Sequence, residues 1–509
     1  MNFISDKVKS IAKRLTEQQK YAFFATLIFG FVSHGYGMTN NYIYHDATIL
    51  DGLGSTFELG RWALGLSGKL NDIVLSNYHL PFLNVLVSIL FIALSAIVVV
   101  DILTIKSNFL AVITGALMVS YPVVTSSFAY NFTAAYYFLA LFLAVCSVKT
   151  LKDNKGIKIV IISALMIAAS AGFYQAYISV SATLFIASLL LDLYGGNDAK
   201  ETVKNGLRYF SSLVIGLAVY MVISKVFMFI FKPYQTSYQG MEEFGRLNLL
   251  KLPSKILEAY LHFFYIKWNG INSSLVMWAF ISVLLVAAAI VILKNIIKSE
   301  IKAAGKILFF VLILIIPIAV NIVYIMSTSD DYSVHTLMRY ATLFVLIVPA
   351  VFLEKDKSFF SFSGEIMLVL ITIFYIYTNN TAYIKMNLVQ EEMTSYLTVL
   401  QSRITEAEYY DDNMPVVFVG QFAIDDMNLT KMTETYPDIQ ILGYEYNAID
   451  LLNKESWARY MRIHTGYEPE LGELTDDIRY SDEYAGMPNY PDDGSVKVIN
   501  GRVVVKFYD

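Results

Sequence analysis

Apolar runs of helical length recur along most of the chain. Eleven windows qualify: 20–38, 80–101, 108–124, 128–148, 157–173, 175–194, 208–231, 273–293, 306–327, 337–353 and 361–379. About 20 apolar residues cross about 30 Å of hydrocarbon. The pattern therefore predicts an α-helical polytopic membrane protein with about 11 transmembrane helices. "AGFYQAY" interrupts the long run between Ile157 and Leu191 and marks a turn. After Asn379 the periodicity changes. Met386, Val389, Met393, Tyr396, Leu397, Leu400 and Ile404 repeat at helical spacing. "MPVVFVG" reads as a buried strand, and "SVKVINGRVVVKF" as a hairpin whose Asn500-Gly501 supplies the positive φ of a tight turn. Three domains follow: an amphipathic N-terminal helix (1–19), a transmembrane body (20–379) with its first outer loop at 39–79, and a small C-terminal α/β domain (380–509).

Composition agrees with the pattern. Hydrophobic residues make up 56% of the 509 and charged residues only 16%, with a mean hydropathy of +0.52. Soluble domains carry about 25% charge. Positive charge then orients the spans. Lysines and arginines crowd the N-terminal arm and the connections near Lys106, Lys149–Lys158, Lys200–Arg208, Lys294–Lys306 and Lys355–Lys357. Alternate crossing returns the chain to the cytoplasm at each of them. This predicts a plasma-membrane protein with a cytoplasmic N-terminus and an extracytoplasmic C-terminal domain. From Asn380 onward 23 acidic residues face 10 basic ones, a net −13, which leaves +8 for the preceding part of the −5 total. The N-terminal segment lacks a small-residue cleavage site and reads as an uncleaved helix. The lone Cys146 reads as a packing residue. The scattered histidines and single cysteine show no metal-ligand spacing, so no cofactor is indicated, a divalent metal included. No P-loop, G-x-S-x-G elbow or nucleic-acid-binding surface is present.

The polar residues that could carry chemistry gather next to the outer ends of spans. The first outer loop, "NNYIYHDATILDGLGSTFELGRW", holds His45, Asp46, Asp51, Glu58, Arg61 and Trp62. Asp46 sits just past the first span, at headgroup depth. A carboxylate there suits general base catalysis on an acceptor hydroxyl, with Asp51 and Glu58 as alternatives. A nearby negative charge also stabilises an oxocarbenium-like transition state at a sugar carbon. Arg61 offers a planar fork for a phosphate, while Phe57 and Trp62 read as interfacial anchors. Arg339 and His335, four residues apart on one helix face, add cationic groups at the tenth span. Lys225 lies within the seventh span, where a charge is expensive, and joins Arg61, Arg339 and His335 as a candidate donor-phosphate ligand. Tyr130, Asn131, Tyr174 and Gln175 lie near outer span ends and suit sugar stacking and hydroxyl contacts, as do His45 and Trp62.

Several stretches in order carry a resemblance: the acidic first loop with "GRWALGL", then "SYPVVTSSFAYNFTAAYYFLALFLAV", "SAGFYQAYISV", "NNTAYIKMNLVQEEMTSYLTVLQSRI" and "MPVVFVG". Together they resemble the bacterial type II glucosyl transferases, O-antigen-modifying enzymes of the GT-C class, over residues 15–425. The resemblance implies a GT-C-like fold and a polyprenyl-phosphate hexose donor, typically glucose. It also implies transfer to a cell-surface polysaccharide, usually with inversion, and an essential first-loop acid, which Asp46 matches by position. "HDAT" lacks a doubled acid or D-x-D, which leaves Asp51 and Glu58 open and argues against a metal requirement. A flippase and a polyprenyl-phosphate sugar synthase are the implied pathway partners. A lipid-oligosaccharide flippase or transporter, and a glycan polymerase or ligase, are the competing readings. A transporter places ionisable residues near the midplane, often within paired halves. Here Lys225 is the one charge at depth and no internal repeat is evident.

Overall fold

The computed structural model describes residues 10, 13–43, 45–48, 52–74, 79–233, 250–264, 275–327, 336–354, 356–420 and 454–507. Most of the expected N-terminal helix at 1–19 lies outside the described residues, as do Asp51 and His335. Residues 1–40 and 51–380 belong to one compact unit; residues 41–50 join the chain beyond 380 in a second.

The first unit is helical. Its elements are α1 (Glu17–Thr39), α2 (Trp62–Val74), α3 (Pro81–Ile102), α4 (Asn108–Ser120), α5 (Pro122–Phe128), α6 (Asn131–Asp153), α7 (Ile157–Phe173), α8 (Ile178–Tyr194), α9 (Ala199–Phe231), α10 (Leu252–Phe264), α11 (Leu275–Lys298), α12 (Ala303–Val320), α13 (Ile322–Met326) and α14 (Phe344–Leu353). The chain enters α15 (Phe359–Thr405), a helix of 47 residues. Local chemistry sets several starts. Thr16 and Gln19 form a reciprocal capping box on α1, Pro81 opens α3, and the Ser107 hydroxyl accepts from Leu110 N–H to cap α4.

Small residues and hydroxyls pack these helices. A Cβ on Gly115 of α4 would lie 2.3 Å from the Ala22 carbonyl oxygen of α1. One on Gly216 of α9 would lie 2.9 Å from the Ala164 oxygen of α7. Glycine is required at both for backbones this close. Buried hydroxyls bridge neighbours: Ser170 donates to Ala140 O at 2.7 Å, Ser163 to Ser147 O at 2.9 Å, and Ser212 to Ser163 at 2.9 Å. These bonds bind α6, α7 and α9 together.

Among the described residues, eight helices are long and apolar enough to cross a membrane. Two shorter apolar helices, Ile157–Phe173 and Arg339–Leu353, fall where two further spans are expected. The first expected span corresponds to α1, which lies outside those eight. Its buried side carries Thr26, Ser33 and His34, and His34 Nε2 lies 2.8 Å from Val119 O. Facing protein, that side needs less apolar character than a face in contact with lipid. The last expected span does not stop at 379 but continues through α15 to Thr405. At 1.5 Å per residue α15 is about 70 Å long, more than twice the hydrocarbon thickness.

The basic connections converge at one end of the bundle. Arg208 donates to Leu151 O and Asn154 O. Lys149 pairs with Asp101 at 2.6 Å, Lys155 with Glu201 at 3.1 Å and Lys294 with Asp356 at 3.7 Å. Glu354 accepts from the Lys106 N–H at 2.7 Å.

In the second unit, β1 (Val416–Val419), β2 (Val496–Ile499) and β3 (Arg502–Lys506) form a sheet of order β1-β3-β2. β1 runs parallel to β3 and β2 antiparallel to it. Asn500 and Gly501 take φ of +48° and +73°, the tight-turn geometry that joins β2 to β3. α16 (Lys454–Thr465) packs Trp457 edge-on against Phe418 and Phe507. The α15 stripe Met386, Val389, Met393, Leu397, Leu400 and Ile404 is buried throughout.

Candidate functional site

Among the described residues, a polar cluster lies at the end of the bundle away from the basic connections, and it begins at Gly60. A one-turn helix, Phe57–Leu59, ends in Gly60 with φ +73°, a left-handed conformation glycine takes without penalty. A Cβ there would lie 2.5 Å from the Tyr220 hydroxyl. Gln175 Nε2 donates to Leu59 O at 2.6 Å and to the Tyr220 hydroxyl at 2.9 Å, and Ser224 donates to Gly60 O at 3.4 Å. The loop is thus held from the α7–α8 connection and from α9. It delivers Arg61 onto two aromatic residues. Arg61 Nη1 donates to the Tyr137 hydroxyl at 3.4 Å, and its guanidinium carbon lies 5.1 Å from the Tyr174 ring centre. Tyr137 and Tyr174 stack at 4.1 Å. A planar cation on a tyrosine pair combines a phosphate-matching fork with flat, hydroxyl-tipped faces.

From this pair a series of tyrosines crosses the unit. Tyr174 meets Tyr177 edge-on at 6.1 Å, Tyr177 meets Tyr340 at 5.8 Å, and Tyr340 meets Tyr121 at 6.0 Å. Tyr121 donates to the Arg339 carbonyl at 3.5 Å. Arg61 and the half-buried Arg339 therefore flank one aromatic series. Trp62 stacks on Phe227, and a Cβ on Gly172 would lie 2.5 Å from its ring. Its Nε1 is buried with no hydrogen-bond partner among the described residues, as is Gln175 Oε1. Asn131 is buried and donates to Pro81 O at 3.5 Å; Tyr130 is half-buried at the start of α6. Glu58 is half-buried three residues before Arg61. Lys225 is exposed on α9 beside the exposed Val222, Val226 and Phe229, turned away from Tyr220.

Asp46 and His45 lie in a one-turn helix, His45–Thr48, whose backbone is described and whose first two side chains are not. That segment belongs to the second unit. Gln390 of α15 accepts from Ile43 N–H at 3.0 Å and donates to Asn41 O at 3.0 Å. Tyr42 donates to Tyr383 O at 3.1 Å, and Arg459 Nε donates to the Thr48 hydroxyl at 3.4 Å.

Some groups in these surroundings carried no sequence signal. Tyr137 follows Tyr136 and Tyr220 shares α9 with Tyr209, and only the packing selects them. Lys255 and Glu258 share a face of α10. Lys255 is buried, bonds Ser327 O and lies 5.2 Å from the Tyr324 ring centre, while Tyr324 donates to Glu258. Their three-residue spacing within "LPSKILEAYLHFF" was the available clue. His79, just before α3, has both ring nitrogens buried without a hydrogen-bond partner among the described residues. Burial lowers its pKa from 6.5 to about 4. A cavity of about 440 Å³ lies between α8, α11, α12 and α14, lined by Leu190, Ala288, Leu293, Phe310, Val348 and Phe352 among others.

Long apolar helices, packed through glycines and hydroxyls and carrying a cation–aromatic cluster at one end, define a helical membrane protein with a built polar site. The profile of the family "Glucosyl transferase GtrII" matches residues 35–346, more than half the chain, and the chain belongs to that family. The match includes Arg61, Tyr137, Tyr174, Gln175, Tyr220 and Arg339. Membership makes the protein a glycosyltransferase that works between a sugar donor and a glycan acceptor. No curated protein and no solved structure matches it.

Proposed function

We propose that the protein transfers a hexose, glucose, from a polyprenyl-phosphate donor to a cell-surface polysaccharide at the outer face of the plasma membrane. The observation that carries this reading is Arg61 seated on the Tyr137–Tyr174 pair. The fork suits the donor phosphate, and the tyrosines suit the sugar. The apolar cavity of about 440 Å³ supports a donor with a hydrocarbon tail. The concentration of basic connections at the opposite end of the bundle supports an outward-facing site. On this reading Asp46 is the base and Arg339 a second phosphate ligand. The acceptor oxygen attacks the anomeric carbon while its proton passes to Asp46. The bond from that carbon to the phosphate oxygen breaks, and the electron pair leaves with the lipid phosphate, which Arg61 neutralises. A single base and a direct attack give inversion. Family membership favours transfer over translocation.

The test is Asp46→Asn in a protein that inserts and melts as wild type. Loss of transfer with retained donor binding supports the base. Wild-type turnover removes Asp46 from the mechanism and leaves Asp51 and Glu58 to be tried.

A further inference from the structure

The first outer loop is divided between the two units. Residues 41–50 fold with the chain beyond 380, not with the helices that flank them in sequence. The contacts that hold this segment are specific. Gln390 uses both ends of its amide, accepting from Ile43 N–H and donating to Asn41 O, each at 3.0 Å. This is the pairing one strand offers another, supplied by one side chain 347 residues away from Ile43. Between the two bonds Tyr42 stacks on Tyr383 and donates to its carbonyl. On the far side of the one-turn helix, Arg459 donates to the buried Thr48 hydroxyl. Ile43, Ala47 and Thr48 are all buried. The two helices that supply these groups are joined at the same point: Tyr460 of α16 donates to the Gln390 carbonyl at 3.2 Å and lies 3.3 Å from the Thr394 hydroxyl. Asp46 stands between the Gln390 clamp and the Arg459 contact.

We propose that Gln390, seconded by Arg459, is a positioning residue for the loop that bears Asp46. The C-terminal domain is on this view part of the catalytic apparatus, fixing the one-turn helix from both sides. The proposal rests on the reading of Asp46 as base. A base acts only within hydrogen-bond reach of the proton it takes, and a misplacement of about 1 Å costs on the order of 100-fold in rate. A flanking hydrogen-bond clamp supplies that placement without touching substrate.

The experiment compares Gln390→Ala, Gln390→Glu and Arg459→Ala with wild type in purified, folded protein. Separate kcat and KM values are measured for the donor, alongside melting temperature. The expected result is a fall in kcat of about 10- to 100-fold for Gln390→Ala with KM within about twofold. Gln390→Glu keeps the acceptor for Ile43 N–H but loses the donor to Asn41 O, so its kcat lies between the two. Arg459→Ala lowers kcat in the same way, and it carries the test if Gln390→Ala does not fold. Wild-type kcat in Gln390→Ala, or a loss confined to KM, overturns the proposal. So does a fall in kcat that merely tracks melting temperature across the three variants. Asp46→Asn is run beside them: if it is fully active the assignment of the base is at fault, a failure distinct from an inactive Asp46→Asn with a wild-type Gln390→Ala.

Discussion

Gly60→Ala is the sharpest single perturbation of the Arg61 site. The residue has φ +73°, and its new Cβ would lie 2.5 Å from the Tyr220 hydroxyl. Two costs add. A non-glycine residue in the left-handed region costs about 1–2 kcal/mol. Displacing Tyr220 strains or breaks its bond to Gln175, worth about 1 kcal/mol, and disturbs the donor that also holds Leu59 O. The sum is about 2–3 kcal/mol of stability. The consequence for turnover is larger than for stability, because the loop sets where Arg61 meets Tyr137 and Tyr174. A displacement of about 1 Å there lowers transfer on the order of 100-fold. Thermal unfolding in detergent and initial rates of transfer read the two effects separately. Gly156→Ala is the control: it also has positive φ, at +113°, but nothing lies within 4 Å of its added Cβ. It should lose some stability and keep its rate. Wild-type transfer by Gly60→Ala, or an equal loss from Gly156→Ala, refutes the reasoning.

Two further outcomes follow from individual groups. Arg61→Lys retains a charge but loses the planar fork and the stacking on Tyr174, so apparent donor affinity should fall about tenfold; unchanged donor KM would remove Arg61 from phosphate binding. His79 is buried with a pKa of about 4 against 6.5 for an ordinary histidine. The unfolded chain takes up this proton first, so the stability from a neutral His79 is fully present above pH 6.5 and is lost as pH falls towards 4. The span of that loss is about 3 kcal/mol. His79→Phe should flatten the acid limb of a melting-temperature profile between those values, and an identical limb in both proteins contradicts the assignment.

Much of this architecture is legible in the chain, because lipid demands long apolar helices and a turn with two positive φ values asks for Asn-Gly. The runs predicted at 80–101 and 273–293 correspond to α3 (Pro81–Ile102) and α11 (Leu275–Lys298), and Asn500-Gly501 turns between β2 and β3. Arg61 and Tyr174 stand out in the sequence as separate polar residues, and only packing brings them within 5.1 Å. What selects Tyr137 over its neighbour Tyr136 is the rotational setting of α6 against α7, a tertiary property. The composition of α1 hides its protein-facing side, since Thr26 and His34 bond carbonyls of α4, at Gly115 and Val119. The fate of Asn41–Thr48 was the least legible feature. A segment beside the first span suggests interfacial loop, whereas its hydrogen bonds are set by Gln390 and Arg459, whose register no local pattern encodes.

The central claim is transfer from a lipid-phosphate sugar through the Arg61 site. It is tested most directly by incubating purified protein with polyprenyl-phosphate glucose labelled in the sugar and with surface polysaccharide. The account predicts that label moves to the polysaccharide, and that Arg61→Ala slows this movement in proportion to weakened donor use. Failure to transfer label from any polyprenyl-phosphate hexose, with efficient transfer from a water-soluble nucleotide sugar instead, would contradict it.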